Sequence, residues 1–394
     1  MPIADRASLA AACIAWLVAC TSDPALAARA TTVDGEAIEG DLVAVAPDGA
    51  VQLRVGTATR QVACADLFAL ELRAGKPAPS RDDTALVLRN GDLLRGTIEG
   101  GTGRAVTLRS PILGLADCSL HAIARIELPA PQPAQPLQPD HKLDKLLFRN
   151  SETVEGTVES LDAKGLKFRS PLLGALDIAF DRIAAVALAS PDAAAPKPPE
   201  GIVAIVHTDD GSLVSGQLKR LGDGKLELQA SFGPALALRL DRILRIEFRG
   251  GRLVFLSDLT PADAKETPFF DVLWHHRRDQ SVDGNPLRLG ERTYRKGLGV
   301  HSRCELTYAL NGGFRRFHAD LGIDEEVGDK GNADVTILVD GKPKFQRKAL
   351  TGRDAPIQLS VDVVGASQLT LLVDFGGDFD ICDHVDFADA RLIR

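Results

Sequence analysis

Aromatic side chains are scarce in this chain. Fifteen Phe, two Trp and two Tyr make up 5% of its 394 residues, too few for the rows of stacked rings that single-stranded nucleic acids need. Concentrated basic charge is missing as well. The formal net charge is −8, and phosphate recognition requires Lys and Arg gathered on one face, so nucleic acid is excluded as a partner. Cysteine is limited to six residues, with no CxxC pair and no Cys/His spacing of a zinc site. Neither a disulfide scaffold nor a structural zinc organises the fold. Apolar runs long enough to span a bilayer as a helix are absent beyond the first 20 residues.

Those first residues carry an export pattern. Arg6 precedes the apolar core "LAAACIAWLVAC" (9–20), Pro24 breaks it, and Ala25 and Ala27 suit a small-residue cleavage site. Residues 1–28 therefore read as a signal peptide. "LVAC" (17–20) offers a second route, lipoprotein processing at Cys20. Either route predicts a secreted, periplasmic or cell-envelope protein. In that oxidising setting Cys64, Cys118, Cys304 and Cys382 are either small buried thiols or, for Cys304 and Cys382, the two ends of one bridge.

What the chain has in abundance is repetition. "DGEAIEG" (34–40), "NGDLLRG" (90–96), "NSETVEG" (150–156) and "DGSLVSG" (210–216) share one pattern, and each unit closes 32 residues after its last glycine, at Leu72, Leu128, Leu188 and Phe248. Apolar residues alternate with a period of two around each turn pair, so every unit reads as a small antiparallel sheet curled into a barrel. The units span 29–72, 84–128, 142–188 and 201–248. Pro- and Ala-rich spacers separate them, which predicts beads on semi-rigid linkers, an extended stalk. The strand–turn–strand–Gly opening resembles Sm-like and SH3-like barrels. His121 aligns with Asp181 and Asp241 at a turn position, and the units carry no nucleophile–base pair, metal cluster or phosphate loop.

From residue 250 the pattern changes. Strands alternate at "ELTYAL", "DVTILVD" and "QLTLLVDF", no amphipathic helix of useful length interrupts them, and a β-sandwich over 250–394 follows. The motifs "YRKGLGVHS" (294–302), "GIDEEVGDKG" (322–331) and "DHVDFADARL" (383–392) resemble the NPCBM family, which includes the family 51 carbohydrate-binding modules. Phe387 is a departure, where relatives carry Trp. The resemblance implies a galactose-binding-like jelly roll that binds sugars without catalysis and is often attached to glycoside hydrolases. The fold class expected for the whole chain is all-β.

Sugar sites need polar groups that fork to adjacent hydroxyls and an aromatic face for the ring. His301, Asp324, Asp383, His384 and Asp386 are candidates for the first and Trp274 for the second. Each has a structural alternative: His301 as a buried strand-entrance histidine tied to an acid of "GIDEEVGD" or "DHVD", Trp274 as core. By analogy with other jelly-roll sugar modules, Asp258 and Asp389 are candidates for one structural calcium. The expected protein is an exported, non-catalytic carbohydrate-binding protein, with galactose-type glycans and envelope proteins as partners. The alternatives are an envelope scaffold whose sandwich no longer binds sugar, and a glycosidase using the Asp/Glu loops.

Overall fold

The computed structural model describes residues 26–45, 50–130, 137, 142–189, 201–222, 224–269, 271–377 and 379–394. The export segment up to residue 25, with Cys20, and most of the spacers at 129–141 and 190–201 lie outside them. The fold is all-β, with single 3-10 turns between strands. No described helix is long and apolar enough to cross a membrane.

Each repeat is built alike, as the second shows. Strands Thr84–Leu88, Leu93–Gly101, Ala105–Ser110 and Gly114–Ser119 are followed by the 3-10 turn Leu120–Ala122 and the strand Ile123–Glu127. The fifth strand pairs back onto the first, giving the order 5-1-2-3-4. The first strand of the first unit begins at Leu26 and pairs Leu26 with Leu42, so that unit starts ahead of the expected boundary at 29. His121, Asp181 and Asp241 all occupy the middle of the 3-10 turn.

The opening turns are not two-residue hairpins. That form needs positive φ at both central residues (type I′) or at the first (type II′), but only the second takes it: Gly35 at 90°, Gly91 at 86°, Ser151 at 70° and Gly211 at 81°. In three units the first residue accepts instead from the backbone two residues on, as Asp92 N donating to Asn90 Oδ1 at 3.0 Å shows. The closing glycines have a different reason. A Cβ on Gly40, Gly96, Gly156 or Gly216 would lie 2.2–2.5 Å from a carbonyl oxygen of the third strand. The second strand bends tightly over the third there, and its register slips by one residue just beyond.

The units are not separate beads. The fifth strand of unit one pairs with that of unit four (Ile246 opposite Leu70), and those of units two and three pair likewise (Ile126 opposite Val186). Leu213 bridges to Leu93 and Leu221 to Val45, and one apolar core runs through all four units. The spacer after Leu72 lies along unit four, with Ala78 N donating to Asp209 O. The extended stalk is thus replaced by a packed body. A roughly 45-residue unit buries too little apolar surface alone, and an apolar edge strand such as "IAAVA" (183–187) invites pairing.

The C-terminal sandwich packs Asp263–Glu266, Cys304–Ala309, Gln368–Phe375, Ala333–Val339 and Lys342–Leu350 against a sheet centred on Val385–Ile393. All nine residues of that last strand are buried. Val385, Phe387, Ala390 and Leu392 enter the core, the change of parity coming at Asp389, whose φ is 49°. The opposite face is covered by the hairpin Leu287–Leu289 and Arg292–Tyr294 and by the repeat body, where Val33, Phe68, Leu253, Phe255 and Ile393 form a shared cluster. Cys304 and Cys382 remain thiols, and burial pushes Cys304 up to about 12.

Candidate functional site

Two glycines bring the strand Gly297–Val300 to the site. A Cβ on Gly297 would lie 2.6 Å from Phe387 O, and one on Gly299 would lie 2.4 Å from Gln280 O. Only glycine admits such close backbone approach on both sides. His301 emerges at the end of this strand and is buried, with Nδ1 2.7 Å from Ser302 O. That geometry makes Nδ1 the donor. Burial, with the neighbouring His384, lowers the imidazole below its ordinary value, so it stays neutral. The Trp274 indole stacks on it, with centroids 5.2 Å apart and an interplanar angle of 19°. Trp274 is 37% exposed, so the ring lies at the surface and not in the core. His384 completes the aromatic group, 5.5 Å from His301 and 5.8 Å from Trp274.

The acid expected beside His301 goes to its neighbours. Asp383 accepts from Ser302 Oγ and from Asn332 N at 2.9 Å, while Glu326 takes the Nδ1 of His384 at 2.7 Å. Glu326 also accepts from Ser281 Oγ at 2.6 Å and Asn285 Nδ2 at 3.0 Å. Burial alone would push its carboxyl up, but these bonds outweigh that cost and hold it at about 2. Sequence reasoning missed Glu326 and the Ser281–Asn285 loop that clasps it, although Glu326 lies inside the "GIDEEVGDKG" motif.

Three of the proposed sugar contacts are internal supports. Asp324 caps the turn Glu325–Val327 through Glu326 N at 2.8 Å and accepts Arg288 N at 2.9 Å. Asp386 is fully buried beside Asp324 and the Arg288 N–H. Burial and the adjacent Asp324 push it far above the carboxylate range, so it holds a proton and can donate to Asp324. Asp324, Asp383 and Asp386 are 1%, 0% and 0% exposed, which bars them from direct sugar contact. The physical reason is that Arg288 of the 280–289 segment lies against Asp324 and Asp386, while Asp383 is held between Ser302 and Asn332.

The calcium candidates are taken by cations. Asp258 pairs with Lys296 Nζ at 2.6 Å and Asp389 with Arg292 at 3.2 Å. Among the described residues, the one group with ligand atoms gathered within 4.8 Å is Asp283, Glu326 and His384. A cation there would have to displace the Glu326–His384 hydrogen bond.

Residues 252–393 match the family described as NPCBM/NEW2 domain. A curated Renibacterium salmoninarum protein named "Putative endo-alpha-N-acetylgalactosaminidase" is 32% identical over 111 residues, which are 28% of this chain and 7% of that protein. Among solved structures, the CBM51 of Clostridium perfringens GH95 in complex with methyl-galactose is 29% identical, covering 36% of this chain and 99% of that one, with a TM-score of 0.33. CBM51-2 with INT domains of Clostridium perfringens ZmpB, in complex with GlcNAc, is 24% identical, covering 46% and 43%, with a TM-score of 0.34.

Proposed function

Residues 252–393 are an NPCBM domain, and from that premise we propose that this chain binds carbohydrate at the Trp274 cleft without transforming it. The observation that carries the reading is the half-open Trp274 ring held rigidly on His301, beside a Glu326 carboxylate kept ionised by three hydrogen bonds. A pyranose ring can lie on the open part of the indole while its hydroxyls reach the exposed Asp283 carboxylate beside Glu326. The methyl-galactose and GlcNAc complexes of similar modules support galactose or N-acetylhexosamine ends as the first ligands to test. Catalysis is disfavoured because the adjacent carboxyls Asp324 and Asp386 are sealed from any glycosidic oxygen.

In this reading the packed repeats are a scaffold that presents the module, in an exported protein cleaved near Ala27 or lipidated at Cys20. The relative named as a glycosidase supports association with glycoside hydrolases. A glycan array with the full chain, followed by calorimetry on the best hit, tests the proposal. Trp274→Ala should weaken binding by up to ~10-fold, the scale of one lost aromatic contact. Absence of any glycan ligand for a folded protein would remove this reading in favour of a scaffold. The mature N-terminus, read by mass spectrometry from envelope fractions, tests export separately.

A further inference from the structure

The seam between repeat body and sandwich encloses a cavity of about 320 Å³. From the repeats Arg29, Phe68 and Arg245 line it, and from the sandwich Arg292, His318 and Arg391. His318 and Arg391 face each other directly across neighbouring strands. They are 7% and 9% exposed, yet His318 Nε2 and Arg391 Nε have no hydrogen-bond partner among the described residues. Buried polar groups without partners are rare because each forfeits its hydration with nothing in return.

The charges of the cavity do not cancel. Its three carboxylates are already engaged: Glu71 by Arg245 at 2.9 Å, Asp389 by Arg292 at 3.2 Å, and Asp320 by Tyr294 at 2.9 Å and Arg292 at 3.4 Å. Arg29 and Arg391 make no direct ion pair among the described residues, although the charges of Asp389 and Asp320 reach Arg391. Arg391 lies over the Phe68 ring at 4.0 Å and spends one nitrogen on Asp389 O at 3.1 Å. Its burial lowers its affinity for its own proton, and burial first, then the Arg391 charge, hold His318 down at about 4. A larger cleft of about 880 Å³ shares Arg29, Arg245, Arg292 and Asp389 with this cavity and offers a way in.

We propose that the seam is a binding site for a small oxyanion, gripped by Arg391 from the sandwich and Arg29 from the first repeat, with His318 beside it. Guanidinium groups suit phosphate, sulfate and carboxylate alike, because their paired N–H donors match two oxygens at once. The cavity also admits a sugar acid. An anion bound here ties the two parts of the molecule together, and it does so independently of the Trp274 cleft.

Calorimetry on the full chain with sodium phosphate, sodium sulfate and sodium glucuronate, each against sodium chloride at matched ionic strength, tests the site. One saturable site is expected for at least one of the three, weakened 10-fold or more by Arg391→Gln and by Arg29→Ala. Arg29 is exposed, so its replacement leaves folding intact even where Arg391→Gln does not. Tighter glucuronate than phosphate identifies the source as an acidic saccharide, and the reverse order identifies a free inorganic anion. The proposal is overturned if none of the three salts binds beyond the chloride control, or if Arg29→Ala leaves the affinity unchanged.

Discussion

Single side chains set the pH behaviour of this protein, with opposite signs in its two parts. Asp92, buried between units two and four, is pushed up to about 6, by burial first and against the hydrogen bonds of Asn90 and Ser215. Its folded-state value lies above its unfolded one, so the native state keeps a proton that the unfolded chain has lost. Stability is therefore fully present below about pH 4 and declines as pH rises through about 6, by up to ~3 kcal/mol. Asp92→Asn should remove that decline and raise the urea midpoint at pH 8. Glu326 runs the other way. Held at about 2, it adds stability above pH ~4.5 that is lost as pH falls towards 2, again ~3 kcal/mol at most. Urea titrations of Glu326→Gln should show the loss at pH 7 and none at pH 2.

At the scale of elements, the four recurrent glycines are a requirement of geometry. Gly96→Ala would place a methyl 2.2 Å from Arg109 O, where backbone cannot yield as a flexible side chain does. We expect about 3 kcal/mol of destabilisation, measured as a lower urea midpoint. Gly100→Ala, with nothing within 4 Å, should cost about 1 kcal/mol or less. A comparable loss in both variants would defeat the close-approach account. The paired edge strands make a second test. Val186 opposes Ile126 across units two and three and is fully buried. Val186→Asp buries an unpaired charge in the shared sheet, and both units should lose protection from hydrogen exchange together. Loss confined to unit three would mean the units fold independently.

For the whole molecule the packed repeats and the docked sandwich predict a compact particle. A globular chain of this length has a radius of gyration near about 21 Å, and small-angle scattering should give a value close to that. The docking depends on Phe68, which carries Arg391 over its ring and joins the shared apolar cluster. Phe68→Ala should increase the radius of gyration while leaving the sandwich folded and, under the proposed function, able to bind glycan. An unchanged scattering profile would show that the domain contact rests elsewhere, for example on Arg252 and Asp66.

Much of this was legible in the chain because the rules involved are local. The repeat register, the special glycines and the alternation of the sandwich strands each follow from backbone sterics within a few residues, and the quoted C-terminal motifs carry the NPCBM resemblance over 250–394. Long-range pairing was not legible. That Asp383 serves Ser302 while Glu326 serves His384, or that unit one pairs with unit four and leaves no stalk, depends on which groups meet across the fold. Acidic residues of equal chemistry stand at 324, 326, 383 and 386, and sequence spacing gives no distance between them. Tertiary structure decides which are sealed and which stay near the surface, because burial and hydrogen-bond partners depend on the fold and not on residue type.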